Sequence, residues 1–199
     1  MANTYLTRTP ATSTNQKTFT FSTWIKKSDL SNSNAIFSSG ATSLTNGYFS
    51  IVFDATTGLL RTYIYESSTY REVKTNAYYR DVSSWYHLVV AVDTTQATAS
   101  DRIKFYINGS QVTDVSLVNS GYPTQNTDFA VNNTLEQRIG AYRDSGGSLG
   151  SYWNGSMSHF HFIDGTAYDA SALGKQMQPR EYGSLKLHLV LLMVLMVSS

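Results

Sequence analysis

The stretch SWYHLVVAVDTTQATASDRIKFYINGSQVTDV, residues 84–115, decides the fold class of this chain. Two runs rich in aromatic and β-branched residues, 85–92 and 103–107, predict β-strands. Asn108-Gly109 follows the second run directly, and both residues tolerate the positive φ of a type I′ hairpin turn. A third run, residues 111–115, comes after this turn. The segment therefore predicts a β-meander of three antiparallel strands.

Alternating side chains extend the β pattern over most of the chain. In residues 19–25, Phe19, Phe21 and Ile25 share one face, which is typical of a half-buried strand. Further strands are predicted at residues 35–38, 48–53, 58–66, 72–76, 137–142 and 157–163. A single helical turn is predicted at residues 169–173. This pattern predicts an all-β fold, a two-sheet antiparallel β-sandwich, rather than β-α-β units.

The composition excludes several classes of protein. The 15 basic and 14 acidic residues give a net charge of +1 and are dispersed, whereas a protein that tracks nucleic-acid phosphates needs a concentrated basic face. The chain has no cysteine, which excludes disulfides and thiolate metal sites. We see no secretory signal at the amino terminus and expect no membrane span. The β pattern runs without a linker, so we predict one domain over residues 1–174.

Several motifs carry a resemblance to a known family. They are YLTRTP at residues 5–10, TFTFSTWIKKSDL at 18–30, the 84–115 segment, QRIGAYRDSGG at 137–147 and YWNGSMSHFHFIDGTAYDASALG at 152–174. With them, most of the chain resembles the laminin-G-like, concanavalin-A-like lectin/glucanase jelly-roll domains. The first and last motifs are most similar to the versions in bacteriophage tail-fibre and virion proteins. The resemblance implies a jelly-roll sandwich and a role in adhesion.

The carboxyl-terminal residues 175–199 break the pattern with the apolar run LHLVLLMVLMV. With free codon choice, residues 175–198 can be encoded so that another reading frame gives ETDATTGVWKPKASLGSYGTNGF directly after Gly174. That peptide resembles the polar, glycine-rich segment that ends the phage domains. We therefore hypothesise that residues 175–199 are an aberrant apolar tail produced by a frameshift; a buried strand and a peripheral anchor are the alternatives.

Glycoside hydrolysis is an alternative function, because the same sandwich supports it in other proteins of this resemblance. Most such enzymes need two carboxylates that flank the scissile bond. The sandwich hydrolases take them from a Glu-x-Asp-x-Glu strand, which this chain lacks; its glutamates, Glu66, Glu72, Glu136 and Glu181, are isolated. We therefore expect no enzyme activity, and keep a glycoside hydrolase of the same fold as the less favoured alternative.

A metal cofactor is not predicted from the residues themselves. His159 and His161 are two positions apart on a predicted strand, but no third ligand lies on that face in the sequence. The family resemblance implies that calcium is possible through loop acids, here Asp93, Asp101, Asp144 or Asp164. Their spacing is not that of a dense calcium loop, and turn formation explains each of them equally well.

Aromatic and polar residues in two predicted loops are the candidate ligand-binding residues. The first group is Tyr78, Tyr79 and Arg80. The second group brackets the glycine-rich loop and consists of Tyr142, Arg143, Asp144, Tyr152 and Trp153. Aromatic rings offer sugars a flat apolar face, and Asn, Asp and Arg side chains bind hydroxyl groups. The alternative is that these tyrosines lie at a sandwich edge or in a protein interface and bind no ligand.

Together these observations predict a non-catalytic carbohydrate-binding or adhesion module in a viral fibre or another virion appendage. The expected partners are a cell-surface glycan or other virion proteins, in a possible homo-oligomer whose several copies would strengthen weak binding. The expected location is the virion or the extracellular space. A purely structural virion module that binds no glycan is the main alternative.

Overall fold

The computed structural model describes residues 4–31, 34–41, 44–54 and 57–174; the apolar tail and its proposed frameshift lie outside the described residues. Strands account for most of the regular structure. They are β1 (Leu6–Arg8), β2 (Thr18–Lys27), β3 (Asn34–Ser39), β4 (Tyr48–Phe53), β5 (Leu59–Glu66), β6 (Thr69–Tyr78), β7 (Tyr86–Asp93), β8 (Ile103–Ile107), β9 (Ser110–Val112), β10 (Val115–Val118), β11 (Gln137–Ile139), β12 (Tyr142–Arg143), β13 (Leu149–Gly150) and β14 (Gly155–Asp164). A short 3₁₀ helix covers Ala99–Asp101, and the predicted helical turn is present as α1 (Ala170–Gly174).

Two antiparallel sheets form the sandwich. The larger has seven strands in the order β1-β11-β3-β4-β5-β6-β10, and the smaller has five in the order β14-β2-β7-β8-β9. The strands β12 and β13 pair with each other as a separate ribbon. The predicted all-β, two-sheet fold is confirmed. In the part of the chain that the structure describes, no helix is long and apolar enough to span a membrane.

The core lies between the sheets and is rich in phenylalanine. Phe19, Phe21 and Ile25 of β2 are fully buried, as their alternation predicts. Phe19 meets Phe49 of the opposite sheet edge to face, with ring centroids 5.4 Å apart. Such ring pairs stabilise a core beyond the burial of their area. Phe53, at the end of β4, continues this layer toward one end of the sandwich.

The predicted meander is confirmed, with one correction. Asn108 (φ 50°) and Gly109 (φ 86°) both adopt positive φ between β8 and β9, and β7, β8 and β9 are neighbours in the smaller sheet. Residues 111–115, however, are not one strand. The smaller sheet ends at Val112, and Val115 begins β10, which pairs with β6 in the larger sheet. Residues 113–114 therefore carry the chain from one sheet to the other.

A β-bulge interrupts the last long strand. The register between β14 and β2 shifts between Ser158 and His161, and His159 has a φ of 50°. Because a bulge inserts an unpaired residue, Met157 and Phe160 both point into the core. The strict alternation that the sequence predicts for residues 157–163 is therefore wrong at this point.

The predicted strand at residues 137–142 is also divided. It breaks at Gly140, after which the ribbon β12–β13 lies over the outer face of the larger sheet. The Ser38 hydroxyl donates to the Ala141 carbonyl at 2.9 Å, and the Ala35 amide donates to the Ser151 carbonyl at 2.8 Å. The ribbon thus covers β3 and forms one wall beside the outer face of β4 and β5.

Candidate functional site

A cleft on the outer face of the larger sheet collects aromatic and charged side chains. In β5, burial alternates strictly, so that Leu60 and Ile64 enter the core while Arg61 and Tyr63 face outward. The register with β6 places Glu72 directly opposite Tyr63. Directly opposed residues share a face of the sheet, so β5 and β6 present their outward side chains together.

Tyrosine rings form most of the cleft. The rings of Tyr63 and Tyr70 lie 5.1 Å apart at an angle of 38°. Tyr142 reaches the cleft from the ribbon, and Tyr48 contributes from β4. The open space has a volume of about 220 Å³; its lining is Tyr48, Val52, Arg61, Tyr63, Tyr70, Tyr142 and Ser151. This volume is below the usual range of drug-sized pockets and suits part of a ligand, such as one sugar ring.

One cation and two carboxylates surround this aromatic cluster. The Arg61 Nη1 atom lies 3.2 Å from the Asp54 Oδ2 atom and 3.7 Å from the Glu72 Oε2 atom. The Arg61 guanidinium also lies over the Tyr63 ring, 4.3 Å from its centroid. The Tyr70 hydroxyl donates to Glu72 Oε1 at 3.0 Å. Arg61 is therefore neutralised within the site, and its Nε atom, which is buried, has no hydrogen-bond partner among the described residues.

Burial controls the protonation of the cleft. It raises the pKa of Tyr63 to about 12, with Arg61 acting in the opposite direction and Glu72 and Asp54 adding to the rise. Burial also raises the pKa of Glu72, while Arg61 opposes that shift. The Tyr63 hydroxyl therefore stays protonated well above neutral pH and can act as a hydrogen-bond donor.

The first group of sequence-predicted residues lies elsewhere. Tyr78 is 60% exposed at the end of β6, and the Arg80 guanidinium lies 4.7 Å from its ring centroid. Tyr79 instead turns inward and meets Phe53 edge to face at 6.2 Å. These residues form a separate surface at one end of the sandwich.

The second group is divided among several environments. Tyr142 lines the cleft. Arg143 contacts Glu136, with its Nη2 atom 3.4 Å from Oε1, and Asp144 accepts a hydrogen bond from the Ser148 amide within the ribbon turn. Tyr152 packs on Tyr5, with ring centroids 5.9 Å apart.

Trp153 requires a correction, because it does not lie on a loop surface. It is 3% exposed and packs against Phe53 in the core. The chain re-enters the sandwich at this point, since the Trp153 amide donates to the Gly140 carbonyl at 2.8 Å. Its ring is therefore not available to stack on a ligand.

Sequence reasoning missed Arg61, Tyr63 and Tyr70. The signal was present, because the segment LLRTYIYE places Arg61, Tyr63 and Tyr65 on one face by simple alternation. The positions of Asp54 and Glu72 beside them depend on the pairing of β4, β5 and β6.

The loop acids suggested for calcium have protein partners in the structure. Asp93 accepts hydrogen bonds from the Thr95 amide and the Gln96 side chain, and Asp164 accepts one from Asn132. Within the described ranges, no three His, Cys, Asp or Glu side chains are placed to hold a metal ion. His159 is exposed at the bulge, where its Nδ1 atom lies 2.6 Å from the Ser158 hydroxyl.

A larger cavity of about 450 Å³ opens between the sheets at the side where β1 and β11 face β14. Phe37, Phe160, Phe162 and Ile139 give it a mainly apolar lining. At its border the Asn132 side-chain amide donates to Asp164 Oδ1 at 2.8 Å.

Several solved structures share this fold. A carbohydrate-binding module of the Ruminococcus gnavus IT-sialidase (CBM40), bound to α2,3-sialyllactose, superposes with a TM-score of 0.58 and 10% identity, over 88% of this chain and 98% of that one. A heptameric SAP-like pentraxin from Limulus polyphemus superposes with a TM-score of 0.55 and 18% identity, over 85% of this chain and 73% of that one. The LG4-5 domains of the mouse laminin α1 chain superpose with a TM-score of 0.53 and 9% identity, over 83% of this chain and 43% of that one. At these identities the likeness is one of fold.

The sequence comparisons give the family. No curated protein matches the chain. A family model matches residues 1–171, which include every strand described above. The chain therefore belongs to the Laminin_G_3 family of the concanavalin A-like lectin/glucanases superfamily.

Proposed function

We propose that this domain is a carbohydrate-binding module and that the Tyr63–Tyr70 cleft receives the sugar. The observation that carries the proposal is the pair of outward tyrosine rings 5.1 Å apart, beside a neutralised guanidinium. The rings offer an apolar surface to the C–H face of a sugar. The Tyr63 hydroxyl, which is protonated at neutral pH, offers a donor to its hydroxyl groups. A structural neighbour bound to sialyllactose supports a sugar as the ligand class.

Binding without bond cleavage fits the state of the carboxylates. Asp54 and Glu72 share the Arg61 guanidinium. Glu66 is buried and accepts hydrogen bonds from Thr124 and Thr127, so it holds a loop in place. A hydrolase would need one carboxyl group free to protonate the leaving oxygen. Release of reducing sugar that is lost in Glu72→Gln would overturn the non-catalytic assignment.

The biological setting proposed from the sequence resemblance is a fibre or another appendage of a virion. In that setting several copies of a weakly binding domain would act together. The rival is a purely structural module, which would assemble with other particle components without binding any glycan.

A glycan array separates these possibilities. We expect the wild-type protein to bind a restricted set of glycans. Tyr63→Ala and Tyr142→Ala should each lose about fivefold or more in affinity, since a stacking ring contributes on the order of 1 kcal/mol or more. Tyr78→Ala is the matched control, because Tyr78 is exposed outside the cleft. Loss in Tyr78→Ala alone would move the site to the end of β6. If no glycan on the array binds the wild-type protein, the purely structural module is favoured.

The array should use two further versions of the protein, because we propose that residues 175–199 are a frameshifted tail. One version ends at Gly174, and the other carries the restored frame. An apolar run such as LHLVLLMVLMV favours association if no partner covers it, so we expect both versions to be more soluble than the full chain. Equal solubility of all three, or an intact frame on resequencing around the Gly174 codon, would contradict the frameshift.

A further inference from the structure

Lys27 ends β2 in an unusual environment for a lysine. The alternation that buries Phe19, Phe21 and Ile25 also turns Lys27 inward, and the whole residue is only 2% exposed. Its ammonium lies 4.5 Å from the centroid of the Phe53 ring. Buried lysines are normally paired with an acid. In residues 4–31, 34–41, 44–54 and 57–174, no carboxylate lies within ion-pair distance of Lys27.

A second cation lies beside Lys27. The backbone of Gly58 brings the two together, because a Cβ atom built on Gly58 would lie 3.1 Å from Arg80 Cγ and 3.5 Å from Lys27 Nζ. The Arg80 Nε atom donates to the Thr57 carbonyl at 2.9 Å, which holds this side chain beside Gly58. The rest of its guanidinium has no acidic partner among the described residues. Burial and the charge of Arg80 lower the pKa of Lys27 to about 8, which still leaves it protonated at neutral pH.

We propose that Lys27 and Arg80 form a binding site for an oxyanion, a carboxylate, sulfate or phosphate group, at the end of the sandwich where β2, β5 and β6 meet. Two neighbouring cations without a counter-charge repel each other, and an anion between them removes that repulsion. Charge-assisted hydrogen bonds from an ammonium and a guanidinium are the usual contacts for such groups. Gly58 carries no side chain, and the position that its Cβ atom would take is bordered by Arg80 Cγ, the Tyr79 carbonyl oxygen and Lys27 Nζ. The proposal does not depend on sugar binding in the tyrosine cleft.

The test is an NMR titration of isotope-labelled protein at constant ionic strength and pH 7. The probes are inorganic phosphate, sodium glucuronate and neutral glucose. We expect phosphate or glucuronate to shift the amide signals of Gly58, Tyr79 and Arg80 in a saturable way. Glucose should leave them unchanged. Tighter binding of glucuronate than of phosphate would identify an acidic sugar as the source of the anion, and equal binding would identify a free anion.

Three variants decide the outcome. Lys27→Met and Arg80→Met should each weaken the anion about tenfold or more, as expected for the loss of a charge-assisted hydrogen bond. Lys26→Met is the matched control. Lys26 faces the other side of β2, so this variant should bind the anion as tightly as the wild type does. Arg80 is exposed, so its variant remains informative even if Lys27→Met does not fold. Unsaturable shifts, or equal binding by all four proteins, would overturn the proposal.

Discussion

Two regions of this domain each hold a cation over an aromatic ring, but their counter-charges differ. In the cleft, Arg61 lies 4.3 Å from the Tyr63 centroid and has Asp54 and Glu72 beside it. At the end of the sandwich, Lys27 lies 4.5 Å from the Phe53 centroid and has another cation as its neighbour. The contact between cation and ring is the same, and the electrostatic surroundings are opposite.

We infer from this difference that the counter-charge, rather than the cation, decides which class of ligand each region would bind. A guanidinium neutralised by two acids offers hydrogen bonds without attracting net charge, which suits the hydroxyl groups of a sugar. An ammonium and a guanidinium without an acid attract an anion. The same comparison predicts opposite consequences for stability when each cation is removed.

The largest expected effect is the contrast between Arg61→Met and Lys27→Met. Removing Arg61 leaves two carboxylates close together in a partly desolvated cleft, so we expect the free energy of unfolding to fall by about 2 kcal/mol or more. Removing Lys27 takes away a buried charge that lacks an acid, so stability at pH 7 should stay equal or rise. Urea denaturation of both variants measures the contrast, with Lys26→Met as the control. Equal losses in Arg61→Met and Lys27→Met would break the comparison.

The second effect is the pH dependence that Lys27 confers. Its pKa is about 8 in the folded protein, below the ordinary value of 10.5, because of burial and Arg80. Between these pH values the unfolded chain binds more protons at this position, so the contribution of Lys27 to the free energy of unfolding should rise as the pH increases. Below about pH 8 the ammonium is charged in both states, and the cost of burying it beside Arg80 lowers the stability in full. Lys27→Met lacks this titration. Subtracting its free energy of unfolding from that of the wild type at each pH removes the contribution of the tyrosines, which both proteins share. Parallel curves for the two proteins would contradict the lowered pKa.

Much of the fold was predictable because it follows from local periodicity. The alternation of Phe19, Phe21 and Ile25 defined an inward face, and Asn108-Gly109 located a hairpin. The bulge at His159 was not predictable, since an inserted residue leaves no distinct mark in an alternating pattern. Neither was the change of sheet at residues 113–114, because alternation does not say which sheet a strand joins.

The candidate site was predicted less completely, because it depends on pairing between distant strands. Tyr142 was identified from the composition of its loop, and it does line the cleft. Trp153 came from the same argument, yet it is buried, since composition alone does not say which way a ring points. The approach of Asp54 and Glu72 to Arg61 follows from the register of β4, β5 and β6. That register is not visible in any one segment of sequence.

A smaller effect is expected from a pair of glycine substitutions. Gly58 (φ 71°) and Gly109 (φ 86°) both adopt positive φ, so alanine should cost each about 1–2 kcal/mol. Only at Gly58 would the new methyl group meet neighbours, namely Arg80 and Lys27, because nothing lies within 4 Å at Gly109. We therefore expect Gly58→Ala to lose more stability than Gly109→Ala and to weaken phosphate binding. Equal phosphate binding by the two variants would show that the anion does not approach Lys27 past Gly58.

The smallest effect concerns the proton of Tyr63. Its pKa of about 12 reflects burial first, and the acids beside Arg61 add to the rise. Asp54→Asn removes one of these acids, so it should lower the pKa of Tyr63 slightly, whereas Lys27→Met should leave it unchanged. NMR titration of ¹³C-labelled tyrosine, with Tyr63→Phe to assign the signal, measures both shifts. A change in the pKa of Tyr63 in Lys27→Met would mean that the cleft and the Lys27–Arg80 region are electrostatically coupled. In that case sugar binding in the cleft and anion binding at Lys27 would influence each other.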